Sequence, residues 1–106
     1  MGYDTTNYAD VEPRAPGMYF LRDALGCERL GVTVVEAGDG WEGMEHDHAD
    51  GEHEEVYVLL QGAATLTVDG DPVELDPGDA VRVDADSTRE LAFSAGGSKL
   101  VIAGAP

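Results

Sequence analysis

The sequence has few of the residues that bind nucleic acids or cross membranes. Its 106 residues include six lysines and arginines against 22 aspartates and glutamates, which gives a formal net charge of −16. Nucleic-acid binding depends on neutralising phosphates, and binding to an anionic membrane surface needs the same basic side chains. The longest apolar run, Val56 to Leu60, is far shorter than the roughly 20 residues of a membrane-spanning helix. We therefore expect no nucleic-acid partner and no membrane partner.

Cysteine is also scarce, since Cys27 is the single one and excludes an intramolecular disulfide. The first residues show neither the basic nor the apolar segment of a secretory signal peptide, so we expect a cytoplasmic protein. The acidic residues are scattered along the whole chain, and salt would weaken their mutual repulsion. This composition suggests a halophilic, acidic protein rather than a dedicated cation-binding surface.

No stretch of ten or more residues has the period of an amphipathic helix. Short alternating segments are instead separated by turns rich in Gly, Pro and Asp, which is typical of an all-β sandwich or barrel. Asp69-Gly70 predicts a hairpin, and Asp76-Pro77-Gly78-Asp79 predicts a tight turn. The predicted strands cover residues 18–22, 30–35, 41–48, 55–61, 64–68, 73–75, 81–83, 91–93 and 100–103, and residues 24–30 have room for one helical turn.

We expect one domain with an N-terminal arm. A chain of this length supports a single modest core. Residues 1–17 are polar and contain Pro13 and Pro16, so they are predicted to form the arm, and residues 18–106 are predicted to form one β-barrel. Any binding site therefore has to be built from the strands of the barrel itself.

All three histidines lie within residues 46–53, and this segment holds the candidate site. On a strand, His46 and His48 project from the same face because side chains alternate. After an intervening turn, Glu55 returns on the partner strand and can meet both imidazoles. Two imidazoles and one carboxylate form a ligand set that suits divalent Fe, Mn, Zn or Ni. The segment thus predicts a divalent transition-metal site.

The same segment resembles the first motif of the cupin superfamily, G-x5-H-x-H-x3-4-E-x6-G. Gly40 and His46 have the spacing of this motif, as do His46 and His48, and Glu55 and Gly62. The turn before Glu55 is two residues longer than in the motif. An insertion of even length preserves the facing of a strand residue, so Glu55 can still point inward.

A second cupin motif, G-x5-P-x-G-x2-H-x3-N, is matched only at its first glycine, Gly78. The position of its histidine, which is a metal ligand in metal-binding cupins, is Arg89 in this chain. The resemblance covers residues 30–103 and implies the fold of the family, a double-stranded β-helix or jelly-roll barrel of two facing antiparallel sheets. It also implies a homodimer, because small single-domain cupins commonly pair.

Arg89 leaves three alternatives for the site, because a guanidinium has no acceptor and cannot ligate a metal. In the first, His46, His48 and Glu55 hold the metal and Arg89 binds an anionic substrate. In the second, His53 joins them as a replacement ligand. In the third there is no metal, and Arg89 pairs with Glu55 across the mouth of the barrel.

Two aromatic residues and another acid are further candidates. Trp41 and Tyr57 are candidate substrate-binding residues, although such side chains more often belong to the core or rim of a barrel. Glu52 is ranked below Glu55, because it restores the shorter spacing to the histidines but loses the motif spacing to Gly62.

The function expected from the sequence is binding of a small anionic molecule in the barrel, at a divalent transition-metal site and with the reaction unassigned. Barrel mouths are common ligand sites, but cupins include isomerases, dioxygenases, decarboxylases and binding modules, so the fold leaves the function open. Three hypotheses follow: a metal-assisted enzyme in which Arg89 holds a carboxylate, a metal-free ligand-binding module, and a dimeric interaction protein that has lost its site.

Overall fold

The computed structural model describes residues 2–43, 45–47 and 53–106, and short antiparallel strands are their main regular structure. The helical elements of these residues are a 3-10 turn at Tyr8–Asp10 and a short helix, α1, at Arg22–Leu25. The strands are β1 (Met18–Phe20), β2 (Gly31–Ala37), β3 (Glu54–Gln61), β4 (Ala64–Val68), β5 (Asp71–Leu75), β6 (Ala80–Val83), β7 (Arg89–Phe93) and β8 (Ser98–Ala105).

The strands form two antiparallel sheets that share one core. The larger sheet has the order β1-β2-β8-β3-β6, and the smaller has the order β5-β4-β7. Alternate side chains of both sheets point inward, as the period of two in the sequence requires. The largest fully buried apolar side chains are those of Val35, Tyr57, Leu59, Leu66, Val83 and Leu100. The predicted all-β jelly-roll barrel is confirmed.

The predicted turns lie where the sequence places them. Asp69 and Gly70 join β4 to β5 with φ values of 50° and 81°, and positive φ at both residues is the requirement of a type I′ hairpin. At the second turn, the Asp79 amide donates to the carbonyl of Asp76 at 2.9 Å, and Gly78 has a φ of 95°. Both turns return the chain directly into the next strand.

Some element boundaries differ from those predicted. The helical turn lies at Arg22–Leu25 rather than within 24–30, because Gly26 adopts a left-handed conformation with φ of 66° and ends it. β7 begins at Arg89 and β8 extends over Ser98–Ala105, so both exceed their predicted ranges. Among the described residues, no helix is long and apolar enough to cross a membrane.

The segment predicted as a strand over residues 41–48 is described in part, and that part pairs with β7. Glu42 pairs with Ala92, and His46 pairs with Arg89, as isolated bridges. His46 lies four positions after Glu42, whereas their partners lie three positions apart. The segment therefore contains one extra residue between the two bridges, which is the definition of a β-bulge.

This extra residue decides which side chains of the segment face the interior. Trp41 lies beside Phe93, with ring centroids 5.2 Å apart, and His46 lies opposite Arg89. Both partners are buried, and residues opposite each other in an antiparallel pair share a face. Strict alternation would put Trp41 and His46 on opposite faces. The bulge brings both to the inner face.

Residues before β1 pack against the barrel. The Tyr8 hydroxyl donates to Glu36 at 2.7 Å, and its ring meets Tyr19 edge to face at 5.5 Å. Further along, the indole N–H of Trp41 donates to the carbonyl of Pro16 at 2.8 Å. The predicted division into an arm of residues 1–17 and a domain of residues 18–106 stays a prediction.

Candidate functional site

A cavity of about 630 Å³ lies against the inner face of the larger sheet. Volumes of this size hold small organic molecules. Its apolar lining includes Met18, Phe20, Trp41, Leu91 and Ile102. Its polar lining includes Thr33, Glu42, His46, Glu55 and Tyr57. The segment before β1 contributes Ala15 and Pro16. The cavity is therefore mainly apolar, with polar groups gathered on part of its wall.

Three side chains, those of His46, Tyr57 and Arg89, converge on one carboxylate oxygen of Glu55, and we call these four residues the polar cluster. The Tyr57 hydroxyl donates to Oε1 of Glu55 at 2.9 Å, and Nη1 of Arg89 donates to the same oxygen at 3.2 Å. The Nε2 atom of His46 lies 4.0 Å from it. Glu55 is thus the centre of the polar cluster.

The strand register explains this convergence. Glu55 and Tyr57 are two positions apart on β3 and share its inner face. Arg89 opens β7 directly opposite His46, so both enter the barrel from the same side. Gly104 of β8 pairs with Glu55, and a Cβ at that position would lie 2.9 Å from Cγ of Glu55. The glycine therefore provides the space that the glutamate side chain occupies.

Arg89 is sealed behind the wall of the cavity. Its side chain has no exposed area and does not line the cavity. Nη1 binds Glu55 and Nη2 donates to the backbone carbonyl of Asp84, while the buried Nε has no hydrogen-bond partner among the described residues. A buried guanidinium needs a paired anion, because an unpaired buried charge is strongly destabilising. Glu55 is that anion.

The polar cluster also keeps Tyr57 neutral. Burial raises the pKa of the Tyr57 phenol, and the charge of Glu55 and the hydrogen bond to it raise that pKa further. The phenol therefore stays protonated and donates its hydrogen bond to Glu55 throughout the neutral range. Tyr57 positions the carboxylate and does not serve as a base.

The remaining predicted site residues have different positions. Trp41 lines the cavity, as a substrate-binding residue would. His53 is half-buried immediately before β3 and is not part of the cavity lining. His48, predicted as a metal ligand, and the alternative acid Glu52 lie outside the described residues.

Several residues of the site were not predicted from the sequence. Thr33 and Ile102 line the cavity from β2 and β8, and their inward facing follows only from the pairing of those strands. Gly104 could have been noticed as a glycine inside an otherwise apolar strand, which often marks a close approach. Ala15 and Pro16 come from the segment before β1, whose path the sequence does not reveal.

The described part of the polar cluster does not fit a divalent metal ion. No group of three His, Cys, Asp or Glu side chains that could hold one is present among the residues outside the gaps at 44 and 48–52. The oxygen of Glu55 nearest to His46 already accepts hydrogen bonds from Tyr57 and Arg89. A guanidinium 3.2 Å from that oxygen repels a second cation.

The fold and the cavity together define a small jelly-roll barrel with an internal pocket. Comparison with protein-family models identifies a cupin domain over residues 31–101. The chain belongs to the cupin family. Comparison with curated proteins gives no match.

Several solved structures share the fold over nearly the whole chain at low sequence identity. A cupin protein from Bacteroides fragilis is 24% identical, with a TM-score of 0.82 over 99% of this chain and 85% of that chain. KdgF from a Halomonas species is 21% identical, with a TM-score of 0.80 over 100% of this chain and 94% of that chain. A sugar phosphate isomerase from Silicibacter pomeroyi is 20% identical, with a TM-score of 0.77 over 96% of this chain and 75% of that chain. These similarities concern the fold.

Proposed function

We propose that this cupin binds a small molecule in the 630 Å³ cavity, with the apolar lining holding the body of the ligand and the polar cluster orienting it. The observation that carries the proposal is the arrangement of the wall. Mainly apolar cavities with a few convergent polar groups are the usual form of a small-molecule site. We also propose that the protein is cytoplasmic.

The roles of the residues follow from their exposure to the cavity. Glu55 has 15% of its side chain exposed and His46 has 43%, so both can meet a ligand. Tyr57 and Arg89 hold the Glu55 carboxylate from behind and fix its orientation. Rigidly held polar groups improve affinity, because less ordering is needed on binding. Trp41 would contact the body of the ligand.

Binding can be followed through Trp41, which is the single tryptophan of the chain and lines the cavity. Benzyl alcohol, which has one apolar ring and one hydroxyl, is a suitable neutral probe. We expect saturable quenching or enhancement of the fluorescence of Trp41. Replacing Thr33→Phe fills the cavity and should weaken binding roughly tenfold or more.

The matched control is Thr65→Phe, which adds the same ring to the outer face of the smaller sheet, away from the cavity. Circular dichroism verifies that both variants fold. Equal loss of affinity in the two variants, or no saturable change with the wild type, would contradict binding in this cavity.

A divalent transition metal remains a second proposal, favoured by the 4.0 Å separation of His46 and Glu55 on the inner face. His48 would supply the third ligand, and the charge of Arg89 opposes the metal. Arg89→His should therefore strengthen binding of Zn²⁺ or Mn²⁺, and His48→Ala should weaken it, in calorimetric titrations. Equal affinity for the wild type and both variants would show that these residues hold no metal.

A further inference from the structure

We propose that the cavity selects molecules with an apolar body and a neutral or cationic hydrogen-bond donor, such as an alcohol or an amine, over carboxylates and phosphates. This inference rests on the proposed function and specifies its ligand. It replaces the expectation that Arg89 binds an anion, because the structure places Arg89 where a ligand in the cavity does not meet it.

The carboxylate that faces the cavity is that of Glu55, and no Lys or Arg is among the lining residues that the structure describes. Glu42 also borders the cavity, but it pairs with Ala92, whose side chain points outward between two buried neighbours on β7, so the Glu42 carboxylate points away from the ligand. The guanidinium of Arg89 lies 3.2 Å behind Oε1 of Glu55, so its charge offsets that of Glu55 from the far side. The charge left facing a ligand is that of the exposed part of the Glu55 carboxylate.

An anionic group placed at the polar cluster would lie against this carboxylate. Like charges at close range repel strongly where the surroundings are poorly polarisable, and the walls on either side are apolar. Transfer of a phosphate or carboxylate out of water costs further free energy unless a cation pairs with it. Arg89 cannot move to supply that pairing without leaving Glu55 and the carbonyl of Asp84.

A neutral or cationic donor is not repelled by the Glu55 carboxylate, and it can form a hydrogen bond that offsets its transfer out of water. A hydroxyl or ammonium can donate a hydrogen bond to a carboxylate, and charge-assisted hydrogen bonds of this kind are stronger than neutral ones. The indole ring of Trp41 also lines the cavity, and aromatic faces attract cations. The apolar residues Phe20 and Ile102 provide contact for the body of the ligand.

The test is a titration of the wild type with benzylamine, benzyl alcohol and benzoate, which share one ring and differ in charge. Fluorescence of Trp41 is the readout, in about 1 M KCl, where the screening length is about 3 Å and the net charge of −16 acts weakly at long range. We expect benzylamine and benzyl alcohol each to bind at least about tenfold more tightly than benzoate.

Thr33→Lys adds a cation to the inner wall of the cavity, since Thr33 lines the cavity opposite the buried Ile102. It should weaken benzylamine binding and strengthen benzoate binding, each by about two- to fivefold. Thr65→Lys is the matched control, because it adds the same charge to the outer face of the smaller sheet, outside the cavity. It should change neither affinity, and circular dichroism verifies that both variants fold.

The outcomes separate this inference from the proposed function. Benzoate binding as tightly as benzylamine would overturn the selectivity and leave binding in the cavity intact. An equal effect of Thr33→Lys and Thr65→Lys would overturn it as well, because the preference would then come from the overall charge. No saturable binding of any of the three probes would overturn both.

Discussion

Gly62, the last residue of the first cupin motif, follows the end of β3 and lies against Ser98, the first residue of β8. Its φ is 89°, and a Cβ at this position would lie 2.1 Å from Oγ of Ser98. Ser98 is fully buried and donates its hydroxyl to the carbonyl of Ala95 at 2.7 Å, so it has no room to retreat. Both the backbone conformation and the contact therefore require glycine.

Gly62→Ala should consequently lower the free energy of unfolding more than the replacement of a glycine that has a similar φ but no neighbouring atoms. Gly70 offers that control, because its φ is 81° and a Cβ added there would meet nothing within 4 Å. We expect Gly70→Ala to cost about 1 kcal/mol from backbone strain alone, and Gly62→Ala to cost about 3 kcal/mol or more. Urea denaturation of the two variants measures both values. Equal costs would contradict the steric explanation.

The positions of His46, Glu55 and Arg89 could be predicted from the sequence, but their environments could not. The motif spacing indicated Glu55 and His46, and the register of the second motif indicated Arg89. That Arg89 is sealed from the cavity depends on its bonds to Glu55 and to the carbonyl of Asp84. These bonds are products of barrel closure, which no local pattern encodes.

Among the elements, the segment paired with β7 shows why alternation alone is insufficient. The bulge between Glu42 and His46 turns His46 inward together with Trp41, and strand patterns give no sign of one extra residue. The pairing of β4 with β5 could be predicted, because a two-residue Asp-Gly turn at Asp69-Gly70 fixes which residues lie opposite each other.

Tyr8, in the segment before β1, is held on the outer face of the larger sheet by a small charged network. Glu36 accepts a hydrogen bond from Tyr8 and pairs with Lys99 at 3.1 Å. The hydrogen bond from Tyr8, followed by the interactions with Lys99, lowers the pKa of the Glu36 carboxyl below its ordinary value of 4.5. The fold thus favours the ionised form of Glu36.

Acidification should therefore loosen this segment. The pKa of Glu36 is lowered in the folded state, so the ionised carboxylate adds to the free energy of unfolding. This addition is complete above the ordinary pKa of 4.5 and is lost as the pH falls through the lowered value. Tyr8→Phe should destabilise the protein slightly at about pH 6 and less at about pH 3, in thermal melts. Tyr3→Phe, at an exposed tyrosine, is the control and should show no such dependence. A Tyr8→Phe effect that is constant with pH would contradict this network.

At the scale of the whole molecule, the net charge of −16 contrasts with a partly exposed apolar patch on the outer face of the larger sheet. Val56 pairs with Ala103, and Val58 pairs with Val101. We propose that this face joins two copies in a homodimer, because it is where two strongly acidic molecules can meet with little repulsion. Salt adaptation of the acidic surface likewise stays a prediction.

Light scattering at high salt should give the mass of a dimer. Val58→Asp places a like charge at this face in both copies and should shift the mass towards the monomer. Thr67→Asp adds the same charge to the outer face of the smaller sheet, where we expect no effect on mass. A monomer mass for the wild type would contradict the dimer, and dissociation by Thr67→Asp alone would place the interface elsewhere.

Binding of a small molecule between the apolar lining and the polar cluster is the central claim. Amide and side-chain NMR shifts, recorded while benzyl alcohol is added to the labelled protein, test it most directly. We predict saturable shifts concentrated at Thr33, Trp41, His46 and Tyr57, which meet at the cavity from four separate parts of the chain. Shifts absent from these residues, or concentrated on the outer face around Val58 and Val101, would contradict it.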